Sequence, residues 1–335
     1  MLITDSPVAL DADVLSESLP MLDKIFADIN WQAPWMCHIN QLNIISAAIQ
    51  GLSSSSEQNN AVAYEGQPID VIADVLNNAF NQQSSYGQSS HEQAELPMTK
   101  PTHNNKAHTL KFVSQDALPE GEAYEQFIGI SGNIPTRENL HDLFNGSIWL
   151  TFPKTKALLN YYHMLEIAAQ GINASRGRVR DTITVFDENG AVLVTADPNI
   201  GAALIGFDWQ ASLVAPRPKW DDPAQPNTSA QAAVYIFGHA LLEQLVYPRK
   251  PLCAHSIVIN VAQEFFTLSL AERMSYLNDK VAEYMDTLLS NDDVTPRQLA
   301  PLPILGVPHF WSENTDPSFY DDDYVFRSGR RQKSN

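Results

Sequence analysis

Apolar residues recur at helical spacing through much of the chain. In the stretch "NLHDLFNGSIWLTFPKTKALLNYYH" (139–163), Leu140, Phe144 and Ile148 fall on one stripe when successive residues turn by about 100°. A helix is predicted from Pro135–Thr136, with Thr136 as N-cap and Glu138 at the positive end of the dipole, to about Leu150. A second is predicted from Pro153, a favoured first helical residue, to about Ala169, before Gly171. Helical patterns also cover about 230–247, ending at Pro248, and about 270–290. Two short ones lie within 15–51, the second being "INQLNIISAAIQG"; between them "NWQAPWMCH" reads as a loop anchored in the core by its tryptophans.

Period-two alternation marks the strands. "LKFVSQ" (110–115) and "CAHSIVINV" (253–261) are predicted strands, and "RVRDTITVFDENGAVLVTA" (178–196) alternates on both sides of Asp-Glu-Asn-Gly, the signature of a β-hairpin. Residues 215–229 form a Pro/Asp/Asn-rich loop, and the end of the chain from "PLPILGVPHFW" is rich in Pro and aromatics with little periodicity, as in a segment that wraps over a fold. The expected class is α+β. A helical N-terminal segment (1–52) packs on a main mixed domain (108–327), and 328–335 is a disordered basic tail. "SSSSEQNN" (53–60) and the Ser/Gln/Asn-rich 77–106 place a largely disordered, low-complexity insertion at 53–107, because such segments bury too little apolar area to offset their ordering entropy. His91, His103 and His108, in or beside it, read as solvated.

Charge and cysteine usage narrow the function classes. The formal net charge of −18 disfavours nucleic acid, whose affinity for proteins rests on cationic contacts; "RGRVR" and "RSGRRQK" are short local exceptions. Two cysteines, Cys37 and Cys253, far apart and outside any CxxC pair, fit neither a disulfide scaffold nor a cysteine-rich zinc site and suit a reducing cytosol. No basic n-region opens the sequence, and the longest apolar run (232–246) is too short for a bilayer and contains His239 and Glu243; a cytoplasmic protein that avoids membranes is expected.

The candidate chemistry lies in polar residues on faces that periodicity assigns to the interior. His141, Asn145 and Trp149 adjoin the apolar stripe of the first helix, and Lys156, Asn160, His163 and Ile167 share a face of the second, so the two polar stripes border one groove if the helices fold back on each other. For each such residue the bland alternative is a structural hydrogen bond. In the expected hairpin, Asp181 shares a strand face with Val179, Ile183 and Val185, where a buried carboxylate needs a cation, a metal or several donors; an ion pair with Arg176 or Arg178 is the competing account. Asp187 and Glu188 read as turn residues without a catalytic role. His239 and Glu243 are i,i+4 on one helix face, and His255 shares a strand face with Cys253, Ile257 and Ile259; imidazole and carboxylate suit both zinc ligation and acid–base chemistry. The acidic run Asp321–Asp323 lacks the spacing of a calcium loop and reads as a surface or tail-docking feature, with Arg327 as a candidate partner. G-x-S-x-G, P-loop and G-x-G-x-x-G patterns are absent.

The chain also resembles an uncharacterised proteobacterial family, domain of unknown function 3025. The residues that carry the resemblance are "HDLFNGSIWLTFPKTKALLN" (141–160), "RDTITVFDENGAVL" (181–194), "FGHALLE" (237–243), "PLPILGVP" (301–308) and "FYDDDYVFR" (319–327). The resemblance implies a bacterial cytosolic protein and supplies no catalytic residue. From the residues themselves the expectation is a hydrolase-type enzyme acting on a small or medium substrate. His239, Glu243 and His255 would bind a divalent metal such as zinc, with Asp181 as fourth ligand or base; His141 and His163 would serve proton transfer or orientation, and Asn145, Asn160 and Lys156 would hold the substrate. The alternative is a non-catalytic binding or scaffold protein with structural buried histidines and a Pro/aromatic tail that contacts a partner.

Overall fold

In the computed structural model, the residues described are 26–39, 45–46, 70–86, 110–170, 177–291 and 293–329. Two small sheets and a set of helices share one hydrophobic core, an α+β architecture. The first sheet is a parallel pair, β1 (Lys111–Ser114) with β2 (Asn133–Thr136). The second has the order β4-β3-β5-β6, from β3 (Gly190–Thr195), β4 (Ala232–Ile236), β5 (Cys253–Asn260) and β6 (Ala300–Pro303). β3 is antiparallel to β4 and parallel to β5, and β5 is antiparallel to β6. Every residue of β3 and β4 is buried, so both are apolar runs without the alternation of a half-exposed strand.

The helices are α1 (Val71–Tyr86), α2 (Tyr124–Ser131), α3 (Leu140–Thr151), α4 (Pro153–Gln170), α5 (Arg178–Asn189), α6 (Pro198–Ile205), α7 (His239–Gln244) and α8 (Leu270–Leu289). Helix α3 begins later than its sequence predicts. Pro135 and Thr136 belong to β2, and Asn139 is the N-cap, its side chain accepting from the Asp142 N–H at 2.8 Å. Helices α4 and α8 and strands β1 and β5 match their predicted spans to within a residue or two.

Three predicted elements are corrected. The hairpin expected at 178–196 is helix α5 followed directly by β3. Alternation in "RVRDTITVF" coexists with a helical stripe, Val179–Ile183–Phe186, and that stripe is what meets the core, Ile183 and Phe186 being fully buried. Asp-Glu-Asn-Gly is thus a helix C-terminus rather than a turn. The helix expected at 230–247 divides into β4 and the short α7, because "AAVYI" takes a buried strand position against β3. Within the segment read as disordered, residues 71–86 form α1, which seats Ile72, Val75, Leu76 and Ala79 in the core. Asn77 clasps both main-chain groups of Phe112 in β1, at 2.8 and 3.0 Å. The rest of the expected insertion, the "INQLNIISAAIQG" helix apart from Ile39, Ile45 and Ser46, and the basic tail from 330 lie outside the described residues.

Trp35 is buried and Trp31 packs against the core, as the loop reading anticipates. The C-terminal Pro/aromatic segment packs on the fold itself: Phe319, Tyr320 and Phe326 are buried, and the Tyr320 hydroxyl donates to the Gly306 carbonyl at 2.7 Å. In the acidic run, Asp322 pairs with Lys250 at 3.1 Å, and Arg327 instead donates to the Tyr324 carbonyl. Among the described residues no helix is long and apolar enough to cross a membrane.

Candidate metal centre

Two helix starts and one helix end meet at the mouth of a cleft. His141 is the second residue of α3, His239 the first of α7, and Asp187–Glu188 lie in the last turn of α5. Gly238 makes this meeting possible. A Cβ there would lie 2.5 Å from the Glu188 carbonyl oxygen and 2.5 Å from the Gly190 nitrogen, so only glycine lets the start of α7 abut the end of α5. The Phe237 and Gly238 N–H groups both donate to the Gly190 carbonyl, at 2.9 and 2.8 Å.

The imidazoles of His141 and His239 stand edge to face with their Nε2 atoms 3.0 Å apart. Glu188 Oε2 lies 3.4 Å from His239 Nε2, and ligand atoms of all three residues fall within 4.8 Å of one another. The other two nitrogens differ: His141 Nδ1 is 3.1 Å from Glu243 Oε2, whereas His239 Nδ1 is buried without a hydrogen-bond partner, with Asp187 Oδ2 4.0 Å away. The Glu243 carboxylate favours a proton on His141 Nδ1 and so leaves His141 Nε2 as a lone pair. In the absence of a cation, an Nε2–H bond from His239 to His141 spans the 3.0 Å and leaves the buried His239 Nδ1 as a lone pair. The ligand atoms of His141, Glu188 and His239 are close enough together to hold a cation, and imidazole with carboxylate is the donor set that zinc takes.

The charges around this point are arranged in opposition. Burial pulls the His239 pKa down to about 4, against the Asp187 charge. Burial pushes the Asp187 carboxyl up, but Lys156, His239 and His163 together more than reverse this and hold it below the ordinary carboxylate value. Glu188 is raised, by burial and then by the Asp187 charge. Lys156 is buried, and its Nζ donates to Asp187 Oδ1 at 2.6 Å and to Asn145 Oδ1 at 2.9 Å while lying 5.5 Å above the Trp149 ring. Asn145 in turn donates to the Tyr124 hydroxyl at 3.1 Å, and Asn160 to the Glu125 carbonyl at 2.9 Å.

The cleft has a volume of about 380 Å³. His141, Asn145, Lys156, Asn160, His163 and His239 all line it, so the polar stripes of α3 and α4 do share one groove. Glu243 reaches it through His141. Two expected residues lie elsewhere. Asp181 is exposed on the outer side of α5, because the segment is helical and a strand face no longer turns it inward. His255 is half-buried on β5, outside the cleft lining, and burial alone lowers its pKa. Of the expected ligands His239, Glu243 and His255, His239 lies with His141 and Glu188 in one group able to hold a metal ion, Glu243 bonds to His141 from behind, and His255 stands apart. Asp187 and Glu188 were missed because a turn reading removes them; the Val179–Ile183–Phe186 stripe is the signal that would have placed them at a helix end. A smaller cavity, about 240 Å³, surrounds the buried Arg273–Asp221 pair, whose groups already bond to each other and to main-chain partners.

Residues 110–330, more than half of the chain, match the model of a family described as "Protein of unknown function (DUF3025)". No curated protein and no solved structure matches the chain.

Proposed function

The chain belongs to this family, and we propose that it is a metal-dependent hydrolase whose ion, zinc by donor type, is held by His141, His239 and Glu188. The observation that carries the reading is the convergence of His141, His239 and Glu188, the two histidine Nε2 atoms 3.0 Å apart and His141 backed by Glu243 at its Nδ1. Three protein ligands leave a fourth position open, as hydrolytic zinc sites do. When bound, the ion would polarise a carbonyl or phosphoryl oxygen and acidify water.

The chain's own residues supply the rest. Glu243 holds the His141 imidazole in orientation. Lys156 and Asn145, tied to each other and to Asp187, form the wall that binds the substrate. Asn160 borders the same wall. His163, kept neutral chiefly by burial, lines the same cleft with an unpartnered Nδ1.

The test is metal content in protein purified without a polyhistidine tag, followed by zinc titration of the chelated protein. About one equivalent per chain is expected, abolished by His239→Ala and by His141→Ala. Glu243→Gln should weaken zinc binding by about 10–100-fold, as loss of a carboxylate behind a ligating histidine does. Hydrolysis of chromogenic esters, amides or phosphoesters should disappear on chelation and return with zinc. Protein that takes up no metal leaves the histidine pair as a structural contact. Protein that binds metal without hydrolysing any class leaves a metal-binding module.

A further inference from the structure

Helices α4 and α5 are consecutive, joined by a short connection, and the 2.6 Å pair between Lys156 and Asp187 sets how they lie side by side. Seven residues onward along α4 and seven back along α5 are His163 and Arg180, near enough that the Arg180 charge acts on the His163 ring. Each is two turns, about 10 Å, from the ion pair. Asn160 and Thr184, both in the cleft lining, stand between.

The two ends of this seam differ in one respect. Lys156 and Asp187 satisfy each other. At the other end, His163 Nδ1 and the Nε and Nη1 atoms of Arg180 are buried and have no hydrogen-bond partner. Arg180 makes no ion pair among the described residues, and Asp181 beside it faces solvent. A buried donor left without an acceptor is destabilising, and more so when charged. The imidazole lines the cleft that leads to the histidine pair and the guanidinium lies behind that lining; left in this way, the two are arranged for oxygen acceptors that the described residues do not provide.

We propose that His163, in the cleft lining, and Arg180 beside it form an oxyanion subsite, so that the substrate is a small molecule carrying a carboxylate or phosphate about two helical turns from the Lys156–Asp187 pair and the metal ligands next to it. This rests on the reading of the cleft as a hydrolase site, but the subsite is built from residues that touch none of the three ligands. The charges facing it are Glu125 from α2, Lys156 on the same helix and Asp187 across the seam. Burial and the positive charges of Arg180 and Lys156 together keep His163 neutral despite Glu125 and Asp187, so the subsite's fixed charge is that of Arg180.

The experiment is calorimetric titration of the full chain with inorganic phosphate and, separately, succinate, in wild type, Arg180→Gln, Arg180→Lys and His239→Ala. Wild type and His239→Ala are expected to bind one of the probes alike. Arg180→Gln should weaken that binding about tenfold or more, the loss of a charge-assisted hydrogen bond, and Arg180→Lys should retain part of it. The tighter probe identifies the substrate's anionic group. Absence of binding by wild type overturns the proposal, as does binding unchanged in Arg180→Gln. Binding lost in His239→Ala places the anion at the metal ligands instead. Failure of both Arg180 variants to fold makes Arg180 structural and also overturns it. Because the His239→Ala arm lacks a metal ligand, the subsite and the metal reading can fail separately.

Discussion

Gly238 and Glu188 touch through their backbones: a methyl group on Gly238 would sit 2.5 Å from the Glu188 carbonyl oxygen and 2.6 Å from the Asn189 Cα. The φ of Gly238 is −68°, which any residue can adopt, so space and not backbone conformation demands glycine here. Gly238→Ala should therefore force α7 away from α5 and cost about 3 kcal/mol, the upper end of overpacking penalties. Because His239 is the next residue, zinc affinity should fall in the same variant. Chemical denaturation and zinc titration check the two effects; a stable Gly238→Ala with unaltered metal binding would mean that the two helices have room to spare.

The Lys156–Asp187 pair should behave as a coupled unit. Lys156→Met leaves Asp187 partly buried without its cation, and breaking such a pair costs about 3–5 kcal/mol. In the double variant Lys156→Met/Asp187→Asn the loss should be smaller than the sum of the two singles by more than about 1 kcal/mol. Additive losses in a double-mutant cycle would contradict the coupling.

Helix α1 should be required for the fold. Asn77→Ala removes the donor and the acceptor that satisfy the buried main chain of Phe112, and should cost about 2–4 kcal/mol, from two lost bonds and two unsatisfied groups. The exposed neighbour Asn78→Ala serves as the control and should lie within about 0.5 kcal/mol of wild type. Equal melting temperatures for the two variants would detach α1 from the core.

His38 should make the fold acid-sensitive. Burial lowers its pKa from 6.5 to about 4, while its Nε2 bonds to the Ile236 carbonyl at 2.6 Å. The folded state holds the neutral ring, so its stability is complete above the unfolded pKa. As pH falls from about 6.5 to 4 the unfolded chain takes up a proton that the folded one refuses, which removes about 3 kcal/mol. His38→Gln should flatten the stability profile between these limits by that amount relative to wild type. An unchanged slope in urea denaturation across this range would show that His38 protonates freely in the folded protein.

Local rules on the chain were enough for α4 and α8, where apolar spacing, Pro153 and a late Leu face agree, and for the two strands "LKFVSQ" and "CAHSIVINV". They were also enough to bring six cleft residues together, because a polar side chain on an inward stripe must meet other polar groups wherever the helices cross. Tertiary packing decided what local pattern leaves degenerate. "RVRDTITVF" carries both a period-two and a period-3.6 reading, and burial of Ile183 and Phe186 selected the helix, turning Asp181 to solvent and delivering Asp187 and Glu188 to the site. "AAVYI" became a strand because β3 offered it a partner, and Asn-rich "VLNNAF" became a helix because β1 and the core offered one face a place to bury. The pairing of His141 with His239, 98 residues apart in sequence, depends on Gly238 abutting the end of α5. No spacing within either segment encodes that contact, since it is a property of two backbones meeting.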